Sequence, residues 1–325
     1  MEEKKKLKAA TKQFSKVGWS LLIYTAIMNI VVMAVMLLDG VIYTVQQMLS
    51  GGTPDPMEIS EYLMATVASN GWGYILSIVI GVGILLLWKK PRFMKNIIFQ
   101  KNKKMTFVEF LQLLAVFLSA QAILQFMFPV MEWCLNQVGY SCMAAMETAG
   151  METTGISMFL YVGFLGPIAE ELLCRGLVLR LIQPYGKRFA ILVSAILFGL
   201  FHGNIVQIPF ATLVGLVLGY VTVEFSIWWA ILLHIINNFI LSEVMVVVSK
   251  FVPEEIMNII FYGLMGAALL ATIIILIVRR KEVKNYFKEN KISFFSVEAA
   301  VSSVPLWLFA AGMMAMGLLT ITPVK

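Results

Sequence analysis

The chain contains two histidines, His202 and His234, and both stand inside apolar runs. A neighbouring apolar run, about 157–181, holds two adjacent carboxylates and an arginine: Glu170, Glu171 and Arg175. The run around His234 adds Asn237 and Asn238. Ionisable groups are expensive in hydrocarbon and persist there where they pair, line a cavity or do chemistry. On a helix, Glu171 and Arg175 share a face and can form an ion pair. Glu170 is turned away from Glu171 by about 100°. The same four-residue spacing puts Phe198 on a face with His202, and His234 on a face with Asn238. Three helices can therefore aim Glu170, His202 and the His234–Asn238 pair at one centre.

Such a centre has a definite chemistry. Two neutral imidazoles suit zinc, which makes His202 and His234 candidate metal ligands and zinc the candidate cofactor. A carboxylate beside the metal or the imidazoles, here Glu170, can take a proton from water. The Asn238 amide can donate to an oxyanion. Glu171, held by Arg175, serves as support behind the reacting groups. Hydrolysis of an amide uses all of these parts. Two other readings use some of them. A transporter or channel also carries Glu, Arg and His at mid-membrane as a permeation or proton path. Buried ion pairs and membrane asparagines also bridge helices structurally. The crowding of every histidine and the acidic pair between residues 170 and 238 argues against a purely structural role.

The elements that must position these residues are membrane helices. Of the 325 residues, 60% are hydrophobic and 14% charged, and the mean hydropathy is +0.85. A soluble domain is nearer 45–50% apolar and about 25% charged, so a soluble enzyme or a disordered tail is excluded. Apolar runs fall at about 17–38, 72–88, 107–130, 157–181, 188–203, 205–223, 227–248, 256–278 and 300–320. With roughly 20 apolar residues needed per span, they predict an all-α polytopic bundle of eight or nine transmembrane helices. The runs at 188–203 and 205–223 are short and nearly continuous, and the last contains Pro305. The runs are too long and continuous for barrel strands.

Charge sets the orientation. Lys4, Lys5, Lys6, Lys8, Lys12 and Lys16 precede the first span. Further basic groups are Lys89, Lys90, Arg92, Lys95 and Lys101 to Lys104, then Arg180, Lys187 and Arg188, and then Arg279 to Lys291. Segments 39–71 and 131–156 contain no Lys or Arg. The positive-inside rule places the N-terminus and the basic loops in the cytosol. Nine spans would leave Lys325 outside and eight would keep it inside. The net charge of +6 therefore reports topology, and nucleic acid is not expected as a partner. Residues 1–16 form a basic N-terminal stretch and 17–325 a single helical membrane domain, the first span being too long for a cleaved leader.

Three sequence stretches carry a family resemblance. Gly166-Pro167-Ile168-Ala169-Glu170-Glu171-Leu172-Leu173-Cys174-Arg175 resembles an E-E-x-x-x-R motif, Phe198 to His202 an F-x-x-x-H motif, and His234 to Asn238 an H-x-x-x-N motif. Together they resemble the CPBP family of intramembrane endopeptidases, which includes CAAX prenyl proteases and the bacterial Abi and bacteriocin-processing proteins. The resemblance covers about 157–241, and it departs from the family at Cys174, where Phe is usual. It implies an intramembrane metalloprotease in which Glu170 activates water, His202 assists as partner or ligand, and His234 and Asn238 complete the site. Glu171, Arg175 and Phe198 would support them. It implies a peptide or protein substrate, membrane-associated or cut near a CAAX-like or precursor terminus, prenylated or not. A silent immunity protein on the same fold is the rival within the resemblance. The expected home is a bacterial cell membrane, with lipids as neighbours.

Other features complete the expectations. Arg175 lies near the carboxyl end of its apolar run, so the cavity is expected to open toward the cytosol. Pro167 cannot donate to the carbonyl of Gly163, which predicts a local kink. Cys134, Cys142 and Cys174 fit no zinc spacing, and Cys174 is expected to pack.

Overall fold

The computed structural model describes residues 1–88, 97–150 and 153–324. Lys89, Lys90, Arg92, Lys95 and Lys325 lie outside the described residues. The chain is helical almost throughout. Among the described residues six helices are long and apolar enough to cross a bilayer: α1 (Glu2–Leu49), α4 (Phe107–Asn136), α6 (Ile156–Tyr185), α8 (Gln207–Glu224), α9 (Ile227–Ser249) and α10 (Glu254–Val278). Two bent pairs raise the number to eight. They are α2 (Pro56–Ser69) with α3 (Trp72–Trp88), bent by 58°, and α12 (Phe294–Val301) with α13 (Val304–Leu319), bent by 72°. Helix α5 (Met143–Ala149) lies in a connection, and α11 (Arg280–Glu289) follows α10. The remaining apolar run forms α7 (Lys187–Phe201), whose 15 residues span roughly 22 Å, short of the roughly 30 Å of bilayer hydrocarbon.

Hydrogen bonds at the two ends of the bundle order the passages. At one end Lys187 Nζ meets Glu224 Oε1 at 3.1 Å, Ser296 Oγ donates to the Tyr185 carbonyl at 2.7 Å, and Ser15 Oγ pairs with Ser303 Oγ at 3.2 Å. At the other, Asn204 Nδ2 donates to the Ala145 carbonyl at 2.9 Å and the Ile205 N–H to Thr320 Oγ1 at 3.3 Å. There β1 (Tyr140–Ser141) pairs antiparallel with β2 (Thr322–Pro323). The N-terminal helix starts at the basic end and residues 322–323 close at the acidic-loop end. The described residues therefore pass between the ends an odd number of times, with α7 as a short ninth passage.

Small residues let α7 and α8 touch. A Cβ on Gly199 would stand 2.0 Å from Thr212 Oγ1 and 2.5 Å from the Ile208 carbonyl oxygen, so only glycine permits this approach. Around that contact Leu173, Leu179, Phe198, Leu218 and Leu233 are buried, joined by Phe14, Val17 and Leu21 of α1. By contrast α10 faces outward, with Ile259 72% exposed, as a lipid-facing helix does. Beyond the core, α1 continues past Asp39 and α2 folds back on it, stacking Tyr43 on Tyr62 at 4.1 Å. Cys134 and Cys142 are free thiols. Burial pushes the Cys142 thiol up to about 11, so little of it is thiolate at neutral pH.

Candidate active site

The site grows from a widened stretch of α6. Residues Tyr161–Leu165 and Leu172–Leu179 are π-helical and flank an α-helical turn at Gly166–Glu171. In the first π turn the Gly166 N–H reaches back to the Tyr161 carbonyl. In that register the next residue would bond to the Val162 carbonyl, but it is Pro167 and has no N–H. The Val162 carbonyl is therefore left without that partner. It accepts a hydrogen bond from Asn238 Nδ2 at 3.1 Å. Asn238 comes from a third π-helical stretch, Ile236–Val244 of α9. Clustered π turns mark functional segments of helices.

Glu171 is the buried hub. Its side chain and that of Arg175 are 0% exposed, and Arg175 Nη1 donates to Glu171 Oε1 at 2.9 Å. The same oxygen lies 2.9 Å from His234 Nδ1. An ionised carboxylate only accepts, so Nδ1 carries a proton, and in the neutral imidazole Nε2 keeps the lone pair. Arg175 also lies over the Phe198 ring, its guanidinium carbon 4.1 Å from the ring centroid. Phe198 presents edge-on contacts to His202 and His234, with centroids 4.9 and 5.8 Å away. One aromatic ring thus spaces the cation and both imidazoles. Arg175 Nη2 faces Gly215, where a Cβ would come within 3.1 Å.

His202 closes the end of α7, and its Nδ1 lies 2.9 Å from the Phe198 carbonyl oxygen. A carbonyl only accepts, so Nδ1 carries a proton here too, and the neutral imidazole keeps its lone pair on Nε2. Glu170 is partly exposed, 22% at the side chain, with Oε2 3.7 Å from His234 Nε2. Glu170, His202, His234 and Asn238 all line one cavity of about 320 Å³. Glu171 and Arg175 stand behind it. Two imidazoles with free Nε2 atoms and one carboxylate are the donor types zinc takes. Among the described residues, however, no three His, Cys, Asp or Glu side chains converge tightly enough to hold a metal. Cys174 is buried, and its carbonyl accepts from Ser194 Oγ at 2.9 Å.

The lining also locates the cavity along the bundle. Its lining includes Met146 and Gly150 of the acidic connection and Gln207 at the start of α8, which places it in the half nearer the acidic-loop end. The physical reason is the length of α6: helix continues to Tyr185, so Glu170 sits near its middle and Arg175 ten residues from its end.

Several lining groups had no role assigned from sequence. Gln121 of α4 donates through Nε2 to Asn237 Oδ1 at 3.0 Å, and Asn237 Nδ2 donates to Asn238 Oδ1 at 3.0 Å. Gln125 and Gln207 also reach the cavity. Uncharged amides on distant helices leave no spacing signal. Glu243, buried in α9 and bonded by Thr153 Oγ1, did carry one: it is a carboxylate inside an apolar run.

Residues 152–240 match the family described as type II CAAX prenyl endopeptidase, Rce1-like. This segment is similar to CAAX-type endopeptidase domains. No curated protein and no solved structure matches the chain. The domain spans α6 through the first half of α9, so it supplies Glu170, Glu171, Arg175, Phe198, His202, His234 and Asn238 together. Gln121 and Gln125, from α4, lie outside the CAAX-type segment.

Proposed function

We propose that the protein hydrolyses a peptide bond of a membrane-associated or C-terminal substrate inside the bilayer, with Glu170 as general base. The observation that carries this reading is the facing of Glu170 Oε2 and His234 Nε2 across 3.7 Å on one cavity wall. One water beside that gap can hydrogen-bond to both atoms. Glu170 takes the proton as the water oxygen attacks the carbonyl carbon, and returns it to the departing amine. His234 is oriented for this by Glu171, whose charge Arg175 balances. Asn238 uses one amide hydrogen on Val162, and its second is offered to the oxyanion that develops. The residues that would hold zinc are His202 and His234 through Nε2. When bound, the metal would polarise the carbonyl and acidify the water. A bacterial cell membrane with the N-terminus cytosolic fits the distribution of Lys and Arg.

The test is cleavage by the purified protein in detergent, using prenylated and unprenylated C-terminal peptides. Glu170→Gln should lower the rate by about 10²-fold or more, with the variant eluting and melting as the wild type does. Equal cleavage by wild type and variant would remove Glu170 as the base. Metal analysis of the same samples decides the cofactor: stoichiometric zinc that His202→Ala loses would assign the metal. Full activity after chelation would leave His202 as a partner to Glu170 without a metal.

A further inference from the structure

A second concavity, of about 570 Å³, lies at the basic end of the bundle and shares no lining residue with the cavity above. Its walls are Ile191 and Leu192 of α7, Leu216 of α8 and Phe287 of α11, and Arg188 and Arg279 stand in it. Among the described residues the one carboxylate in its lining is Glu282, and it is already engaged, 2.9 Å from Arg279 Nη1. Arg188 differs. Its guanidinium carbon lies over the Phe287 ring, 4.2 Å from the centroid, which restrains the side chain. Among the described residues no hydrogen bond or ion pair engages it. Glu224, the other nearby carboxylate, is taken by Lys187 at 3.1 Å and by Tyr286 at 3.5 Å.

We propose that this groove binds one anionic phospholipid, with its phosphate on Arg188 and an acyl chain along Ile191, Leu192 and Leu216. A guanidinium presents a planar fork that matches a phosphate, and its place over Phe287 restrains the side chain in advance. The apolar wall argues for a lipid over a soluble anion. Leu216 lies eight residues from Glu224, so the wall runs roughly 12 Å inward from the basic end. Helix α11 frames the mouth and turns Arg280, Lys281, Lys284 and Lys288 outward. A basic helix at that depth lies among headgroups and adds attraction for anionic ones.

The experiment uses the full chain, delipidated in detergent and offered phosphatidylglycerol or phosphatidylcholine with the same acyl chains. Native mass spectrometry counts the lipid retained. One phosphatidylglycerol should stay bound to the wild type, and phosphatidylcholine should not. Arg188→Gln should weaken retention by about tenfold, while Lys8→Gln, with the same loss of charge on the exposed N-terminal stretch, should leave it unchanged. Leu192→Trp, which fills the wall and keeps the guanidinium, should also lose the lipid. It keeps the proposal testable if Arg188→Gln does not fold. Equal retention of the two lipids, or equal losses in Arg188→Gln and Lys8→Gln, would overturn the site. Displacement by glycerol phosphate at the same concentration as the lipid would assign the groove to a soluble anion instead.

Discussion

At the residue scale the centre of the molecule is one carboxylate with two duties. Glu171 Oε1 balances Arg175 and fixes the tautomer of His234, each at 2.9 Å. Its other oxygen and two Arg175 nitrogens have no hydrogen-bond partner among the described residues, so the pair is poorly solvated by the protein. Breaking a buried pair from one side leaves a bare charge and costs about 3–5 kcal/mol, whereas replacing both partners by apolar groups is often neutral. Glu171→Gln should therefore lower the melting temperature in detergent. The double variant Glu171→Leu with Arg175→Leu should regain much of that stability but stay inactive, because His234 Nδ1 has lost its acceptor. A double variant that cleaves peptide at the wild-type rate would refute the orienting role of Glu171.

At the scale of elements, two helix contacts set the geometry. The π turn ahead of Pro167 frees the Val162 carbonyl for Asn238, which ties α6 to α9. Pro167→Ala returns an N–H that competes for that carbonyl and releases the asparagine. A misplacement of about 1 Å at a site can cost about 10²-fold in rate, so cleavage should fall by about tenfold or more while thermal stability holds or rises. Unchanged kinetics would show that Asn238 does not depend on this carbonyl. The second contact is the Gly199 seam between α7 and α8. Gly199→Val forces the helices apart at the base of His202, and overpacking of this kind costs about 1–3 kcal/mol. Its signature should be a lower melting temperature together with lost cleavage, in contrast to Pro167→Ala.

The whole molecule is a bundle whose two chain ends lie at opposite faces. Ser15 touches Ser303 at one end, and residues 140–141 pair with 322–323 at the other. Cysteines placed at Val138 and Val324, in a background with Cys134 replaced, should react with an impermeant maleimide from the same side of sealed vesicles. A cysteine at Lys8 should react only from the opposite side. Labelling of Lys8 and Val324 positions from one side would contradict the odd number of passages. The cavity lies in the half nearer Val138, so access to Glu170 is expected from that face.

Class and candidate chemistry were legible in the sequence because their signals are local. Hydropathy marks spans, Lys and Arg mark loops, and charged groups such as Glu170, Glu171, Arg175, His202 and His234 stand out against hydrocarbon since each is costly there. The i to i+4 pairing of Glu171 with Arg175 follows from helical pitch alone. Three things were decided only by the tertiary structure. The depth of Glu170 along its helix depended on how far α6 continues past Arg175, and an apolar-run boundary is a poor measure of where a helix ends. The partner of Asn238 depended on a π register that frees the Val162 carbonyl ahead of Pro167, and no residue pattern announces that register. The joining of Gln121 to Asn237 across 116 positions depended on the packing of α4 beside α9. Uncharged amides cost too little in a membrane to stand out in a sequence, so their meeting is visible only after the helices have packed.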